Sequence, residues 1–142
     1  MVPCPPEVRL ALEDVAVAYA HAADSLDDPA EVCALFVEQG VYDLSGVGFP
    51  RLVGHDAIRG FFEQSFAAMA AQAHYLSNFA VTRWSGERAS LRAYVRAMGH
   101  YREGGRITIH ARYYFDLVRV GEAWKIETFS LDALLPVESD AV

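Results

Sequence analysis

The sequence contains few cysteines and has no excess of positive charge. Cys4 and Cys33 are its two cysteines and neither belongs to a CxxC pair, so we expect neither a disulfide framework nor a thiolate metal site. The 12 Lys and Arg residues are outnumbered by 19 Asp and Glu residues, and the formal net charge of -7 argues against a nucleic-acid-binding surface. We therefore expect no nucleic-acid partner and a cytoplasmic location.

The sequence also lacks several motifs that mark membrane, nucleotide-binding, hydrolytic and metal-binding proteins. No apolar run is long enough to span a membrane, and the N-terminus lacks a basic start followed by an apolar stretch. Gly104 and Gly105 join two predicted strands with no helix after them, which argues against a phosphate-binding loop. No serine has a GxSxG setting, and no two histidines have metal-ligand spacing. We expect no membrane segment, no metal and no organic cofactor.

Apolar residues are abundant enough to build one core. They make up 53% of the 142 residues, which suits a single domain over residues 1–142. Apolar spacings of three and four from Pro5 to about Asp24 predict an amphipathic helix. A second helix is predicted over Ala30–Gln39, a short strand over Val41–Ser45, and a third helix with Asp56 as its N-cap.

Beyond Gln72 the pattern changes to alternating apolar and polar residues rich in β-branched and aromatic side chains. This predicts four strands joined by short glycine-containing turns: His74–Trp84, Glu87–Tyr101, Arg106–Arg119 and Ala123–Leu135. Long strands with short turns form an antiparallel meander. The predicted fold class is α+β, a cone-shaped, curved antiparallel sheet with three N-terminal helices that enclose a pocket.

Four short motifs stand in this framework. They are Asp24-Ser-Leu-Asp27, Gly54-His55-Asp56-Ala57-Ile58, His74-Tyr-Leu-Ser-Asn78 and Ala123-Trp-Lys-Ile126. In this order and spacing they resemble the SnoaL-like branch of the nuclear transport factor 2-like superfamily, and within it the scytalone dehydratase-like enzymes. The resemblance covers nearly the whole chain. It implies acid–base chemistry without a metal or an organic cofactor.

The resemblance implies three catalytic residues. Asp24 matches the aspartate that supports a histidine on a later strand, His100 matches that histidine, and His74 matches a second histidine of the cavity. Asp24 would hold the His100 imidazole in one tautomer and raise its basicity. His100 would then remove a proton next to a carbonyl group, with His74 as acid or electrophile.

The chain departs from the family pattern where that pattern has hydroxyl and amide groups. Ala23 and Leu44 stand at the positions of two family tyrosines, and Ala111 and Tyr113 stand near the position of a polar pair. We therefore expect a substrate other than scytalone. The side chains predicted to contact it are Tyr19, Tyr42, Asn78, His110, Tyr113 and Phe129.

Strand alternation leaves the orientation of His100 open. His100 shares a face with Arg92, Tyr94, Arg96 and Met98, whereas the opposite, apolar face carries Leu91, Ala93, Val95 and Ala97. Either a bulge near Gly99 turns His100 toward the apolar face, or the polar face lines the cavity and the apolar face packs in an oligomer. We favour the second alternative. His110 is likewise either a pocket residue or an interface residue.

Two functions remain. The first is a cofactor-independent dehydratase, isomerase or cyclase that acts on a hydrophobic oxygenated ring compound such as a polyketide, steroid or aromatic intermediate. The second is a non-catalytic ligand carrier or oligomeric scaffold of the same fold. Both imply a small hydrophobic ligand. The small residues Ala89, Ala93 and Ala97 would allow close approach of a second sheet, so we expect a homodimer or homotrimer.

Overall fold

The computed structural model describes residues 1–140. Its helices are α1 (Pro6–Asp24), α2 (Pro29–Cys33) and α3 (His55–Ala68), and a 3-10 turn covers Ser45–Val47. Its strands are β1 (Phe36–Asp43), β2 (Arg51–Val53), β3 (Met69–Trp84), β4 (Arg88–Tyr101), β5 (Arg106–Val120), β6 (Ala123–Ala133) and β7 (Glu138–Ser139). Within these residues, no helix has the length and apolar character needed to cross a membrane.

The strands form one curved, open sheet in the order β2-β1-β6-β5-β4-β3, with β7 paired to β5. The predicted meander is present, since β3, β4, β5 and β6 are antiparallel neighbours. The pairing of β1 with β6 is parallel, which makes the whole sheet mixed. The predicted α+β fold class is confirmed. Irregular register in β3 marks bulges, and bulges increase the bend of a strand.

The second helix is shorter than predicted. It begins after Asp28, whose carboxylate accepts a hydrogen bond from the Ala30 N–H, and it ends at Cys33. The predicted helix over Ala30–Gln39 is therefore wrong beyond Cys33, because the chain enters β1 at Phe36. Pairing with β6 and burial of the Phe36 ring, which is 2% exposed, outweigh the helix propensity of this segment.

The helices cover the apolar face of the sheet. Inward-facing residues of β4 and β5 form one core with α1 and α3: Leu12, Tyr19, Ile58, Phe62, Leu91, Val95, Phe115 and Leu117. The favoured interpretation, in which the polar face of β4 lines the cavity, is therefore wrong. Ala89, Ala93 and Ala97 are buried in the chain's own core, so they do not offer a surface to a second sheet.

The 3-10 turn between β1 and β2 lies directly against β6. A Cβ atom added at Gly46 would stand 2.0 Å from the carbonyl oxygen of Leu131, which is closer than any real contact. Glycine is therefore required at position 46 by close approach of two backbones. This contact fixes the adjoining residues Leu44, Val47 and Phe49 beside the cavity described below.

We expect Gly46→Ala to lower the free energy of unfolding by about 1–3 kcal/mol, the usual cost of forcing extra atoms into a packed region. Gly60→Ala is the matched control. An added Cβ at Gly60 in α3 meets nothing within 4 Å, so that variant should gain roughly 0.5–1 kcal/mol from reduced chain entropy. Urea unfolding followed by circular dichroism compares the two. Equal urea midpoints for the two variants would contradict the close contact between Gly46 and the carbonyl oxygen of Leu131.

Candidate active site

A cavity of about 420 Å³ lies between the helices, the 3-10 turn and the inner face of the sheet. This volume lies within the ~300–1,000 Å³ typical of small-molecule sites. The wall is mainly apolar and includes Phe61, Phe62, Met69, Ile107, Ile109 and Leu131. Within residues 1–140, no Asp, Glu, Lys or Arg side chain is part of this wall. The site therefore suits a molecule that is mostly apolar and uncharged.

His74 is the one imidazole in the wall, and Asp24 holds it at two points. The Nδ1–H of His74 donates to Oδ1 of Asp24 at 2.5 Å, and the main-chain N–H of His74 donates to Oδ2 at 2.9 Å. Asp24 is the last residue of α1 and His74 lies in β3, so the carboxylate joins two elements. The imidazole side chain is 12% exposed. Its position is therefore fixed by both the ring and the backbone.

The contact with Asp24 also sets the tautomer of His74. A carboxylate only accepts hydrogen bonds, so in the neutral ring Nδ1 carries the hydrogen and Nε2 carries the lone pair. Among residues 1–140, no hydrogen-bond partner occupies Nε2. The imidazole therefore has the tautomer and the free nitrogen that a general base in the cavity requires.

Three buried tyrosines stand beside the imidazole. The hydroxyl groups of Tyr19 and Tyr42 are hydrogen-bonded at 2.5 Å. The ring centroids of Tyr19 and Tyr113 lie 6.2 and 6.5 Å from that of His74. Burial raises the pKa of all three phenols, so each stays protonated at neutral pH. The cluster supplies neutral hydroxyl groups to a wall that also contains Gln64, Ser65, Gln72 and His74.

Phe129 supports this cluster from behind. It is 0% exposed and stacks on Tyr42 and Tyr19, with centroid distances of 4.9 and 5.1 Å and interplanar angles of 26° and 28°. It is not part of the cavity wall. The prediction that Phe129 contacts substrate is therefore wrong, because the ring packs in the core and positions the tyrosines instead.

The predicted pairing of Asp24 with His100 is wrong. Asp24 binds His74, and His100 is exposed on the outer face of β4, in a polar surface groove with Arg106, Glu138 and Asp140. The pairing of β4 with β5 is regular from Arg88 to His100, so no bulge turns this side chain inward. Strand alternation thus places His100 on the face opposite to the cavity.

Two more predicted contacts lie away from the cavity. His110 stands between the inward-facing Ile109 and Ala111 of β5, so its side chain lies on the outer face, opposite Arg96. Asn78 is exposed in a bulge of β3 and has a φ of 55°, a left-handed conformation that asparagine tolerates. Of the predicted contact residues, Tyr19, Tyr42 and Tyr113 line the cavity.

Gln72 is a cavity residue that the sequence reasoning missed. Its Nε2 donates to the carbonyl oxygen of Ala23 at 2.5 Å, one residue before the carboxylate that holds His74. The spacing of two between Gln72 and His74 is the signal that places both side chains on one strand face. It was missed because the strand was predicted to begin at His74, whereas β3 begins at Met69.

Comparison with solved structures gives relatives of the same fold. A candidate aromatic ring hydroxylase from Novosphingobium aromaticivorans is 45% identical, with a TM-score of 0.94 and 96% of each chain covered. A candidate scytalone dehydratase from the same organism is 26% identical, with a TM-score of 0.83 over 96% of this chain and 89% of that one. The hexachlorocyclohexane dehydrochlorinase LinA-type3 from Novosphingobium barchaimii is 15% identical and shares the fold. Its TM-score is 0.80, and the match covers 95% of this chain and 91% of that one.

Sequence comparison assigns the family. No curated protein sequence matches this chain. The model of the SnoaL-like domain matches residues 7–130, which include nearly all of α1, the cavity wall apart from Leu131, and most of the sheet. The 45% identity to a solved structure over nearly the full length agrees with a shared family. The chain therefore belongs to the SnoaL-like domain family.

Proposed function

We propose that this protein is a cofactor-independent acid–base enzyme, a dehydratase or isomerase, that acts on a hydrophobic oxygenated ring compound. The observation that carries the proposal is the His74 imidazole, held by Asp24 with Nε2 unoccupied in the wall of an apolar cavity. Similarity to a candidate scytalone dehydratase supports lyase chemistry. The name of the 45% identical relative, an aromatic ring hydroxylase, supports a ring compound as ligand.

In the proposed reaction one histidine transfers the proton in both directions. Nε2 of His74 takes a proton from the carbon next to a carbonyl group, and Asp24 stabilises the imidazolium that forms. In a dehydration, the carbon–oxygen bond of a neighbouring hydroxyl then breaks, His74 returns its proton to that oxygen, and water and a C=C bond result. In an isomerisation the proton returns to another carbon. His100 has no part in this scheme because it lies outside the cavity.

The tyrosine cluster would stabilise the enolate oxygen that forms when the carbon loses its proton. A protonated phenol donates a hydrogen bond to such an oxygen, and burial keeps Tyr19, Tyr42 and Tyr113 protonated by raising their pKa. Within residues 1–140 no Asp, Glu, Lys or Arg side chain lines the cavity, so a hydroxyl donor would interact strongly with the developing negative charge. One such donor typically contributes about 100- to 1,000-fold in rate.

We expect the protein to catalyse exchange of the C2 protons of 1-tetralone, a fused-ring ketone, for deuterium in D2O. Exchange reports proton abstraction alone and needs no leaving group. His74→Gln should lower the rate by about 100-fold or more, because it removes the base. Mass spectrometry measures the deuterium incorporated.

His100→Gln is the matched control and should exchange like the wild type, because that side chain is exposed on the outer face. Equal rates for the wild type and His74→Gln would contradict the proposal. Binding of 1-tetralone with no exchange would favour the alternative function, a non-catalytic ligand carrier.

We also propose that the protein is a homodimer or homotrimer that uses the outer face of its sheet. Arg92, Arg96 and Arg112 lie on this face, and among residues 1–140 no carboxylate comes within salt-bridge distance of any of them. The Nε atoms of Arg92 and Arg112 are buried without a hydrogen-bond partner. Arginine and tyrosine are enriched at interfaces, and Tyr75 on β3 is 60% exposed. A second copy of this acidic chain would supply carboxylates.

Light scattering of the wild type should give the mass of a dimer or trimer. The double variant Arg92→Gln/Arg112→Gln should shift toward the monomer at equal concentration, because it removes two guanidinium groups from the proposed contact. Arg9→Gln/Arg51→Gln is the control and should behave like the wild type, since each of these arginines is already paired with a carboxylate of its own chain. A wild type that is monomeric at every concentration would overturn the proposed assembly.

A further inference from the structure

Gly99 lines the cavity but offers no side chain to it. It lies on β4 and is paired with Gln72 of β3 on one side and with Ile107 of β5 on the other. Strand alternation puts positions 97 and 99 on the same, inward face of β4, so a side chain at position 99 would point into the cavity. Gly99 therefore leaves a gap on the sheet side of the cavity.

The side chain of Met69 fills this gap. Met69 is the first residue of β3, is 5% exposed and lines the cavity. A Cβ atom added at Gly99 would stand less than 3.0 Å from the Cε methyl group of Met69, a distance at which something must move. Its next neighbours, Cγ2 of Ile107 and the carbonyl oxygen of Ala71, would lie at 3.5 and 3.7 Å. The methyl group therefore packs directly on the backbone of Gly99.

The position of this methyl group sets the space at one end of the cavity. A methionine side chain is unbranched and flexible, so its end moves when a neighbouring group changes. The sheet backbone lies behind Gly99, and Ile107 and Ala71 flank it, so the open side for a displaced methyl group is the cavity. Anything that lifts Met69 from Gly99 therefore shortens the cavity, and removal of the Met69 side chain lengthens it.

This end of the cavity lies on the far side of His74 from the phenol of Tyr113. Gly99 is two residues from Ala97, about 6.6 Å along the strand, and Ala97 is paired with His74. Tyr113 of β5 is paired with β4 four residues from Ala97, in the direction away from Gly99. A ketone with its carbonyl oxygen at the phenol and its reacting carbon at His74 then has its rings on the side of Met69.

We propose that Met69, packed on Gly99, limits the length of the ring system that the cavity accepts. This inference rests on the proposed function and makes Met69 a specificity-determining residue of the same site. A ring system that ends at the Met69 methyl group gains an apolar contact, whereas a longer one overlaps that group. The structure fixes the direction of two changes: Gly99→Ala shortens the accepted ring system, and Met69→Ala lengthens it.

The test measures deuterium exchange in one mixture of three ketones: cyclohexanone with one ring, 1-tetralone with two and 3,4-dihydrophenanthren-1(2H)-one with three. After subtraction of uncatalysed exchange, the ratio of two rates is the ratio of their kcat/KM values, whatever the amount of folded protein. Gly99→Ala should lower the ratio of 1-tetralone to cyclohexanone by about tenfold, the effect of roughly one methylene group in an apolar pocket. Met69→Ala should raise the ratio of the three-ring ketone to 1-tetralone by about as much.

The double variant Gly99→Ala/Met69→Ala separates the effects of the two positions. Without the Met69 methyl group the added Cβ displaces nothing, so its ratio of 1-tetralone to cyclohexanone should return at least to the wild-type value. A double variant that keeps the loss seen in Gly99→Ala would overturn the role of Met69, because the Cβ itself would then block the ring.

Gly60→Ala is the matched control and should keep the wild-type ratios, because a Cβ added there in α3 meets nothing within 4 Å. The absence of either predicted shift, in a protein whose wild type exchanges 1-tetralone, would overturn this inference and leave the proposed function in place. A wild type that exchanges none of the three ketones would overturn the proposed function itself.

Discussion

The contact between the carboxylate of Asp24 and His74 is the interaction on which the rest of the site depends. It spans 50 positions of the sequence and joins the last residue of α1 to β3, next to the bond between Gln72 and the Ala23 carbonyl. The last turn of a helix has carbonyl groups without intrahelical partners, and the amide of Gln72 donates a hydrogen bond to one of these, the carbonyl of Ala23. The bonds from Asp24 that attach the end of α1 to β3 therefore also orient the imidazole of His74.

The side chains around the Asp24–His74 contact determine which chemistry the imidazole can support. The wall is mainly apolar, burial raises the pKa values of its phenols Tyr19, Tyr42 and Tyr113, and within residues 1–140 no Asp, Glu, Lys or Arg side chain lines it. Electrostatic interactions are stronger beside apolar protein walls than in bulk water, because the surrounding dielectric constant is lower. In the proposed reaction a single histidine takes and returns the proton, and the phenols face the oxygen that becomes negative, so the proposal needs no second histidine.

Much of the fold and part of the site could be predicted from the sequence. Alternation identified the four-strand meander, because each strand buries one face, and the three-and-four spacing identified α1. Local patterns did not predict the entry into β1 at Phe36, since that strand exists only through its parallel pairing with the distant β6. The structure brings Asp24 and His74 together beside Tyr19, Tyr42 and Tyr113, whereas the predicted partner of Asp24, His100, lies on the opposite face of the sheet.

The error over His100 has a specific cause. The apolar alternation of β4 already placed His100 on the same face as Arg92 and Arg96, and the regular β4–β5 register keeps it there. The interpretation that this polar face lines the cavity gave too little weight to the helices, which need an apolar surface to pack on. Gln72 was missed for a different reason, because the start of β3 merges with the end of α3 and no turn residue marks the boundary.

The most direct test of this account is the tautomer of His74, read from a long-range ¹H–¹⁵N NMR spectrum of the histidine rings in mildly alkaline buffer. The spectrum of His74→Gln identifies the signals by their loss. We predict a protonated Nδ1 and an unprotonated Nε2 in the wild type, and a mixture of tautomers in Asp24→Asn. A wild-type ring protonated at Nε2, or a ring whose tautomer does not respond to Asp24→Asn, would contradict it.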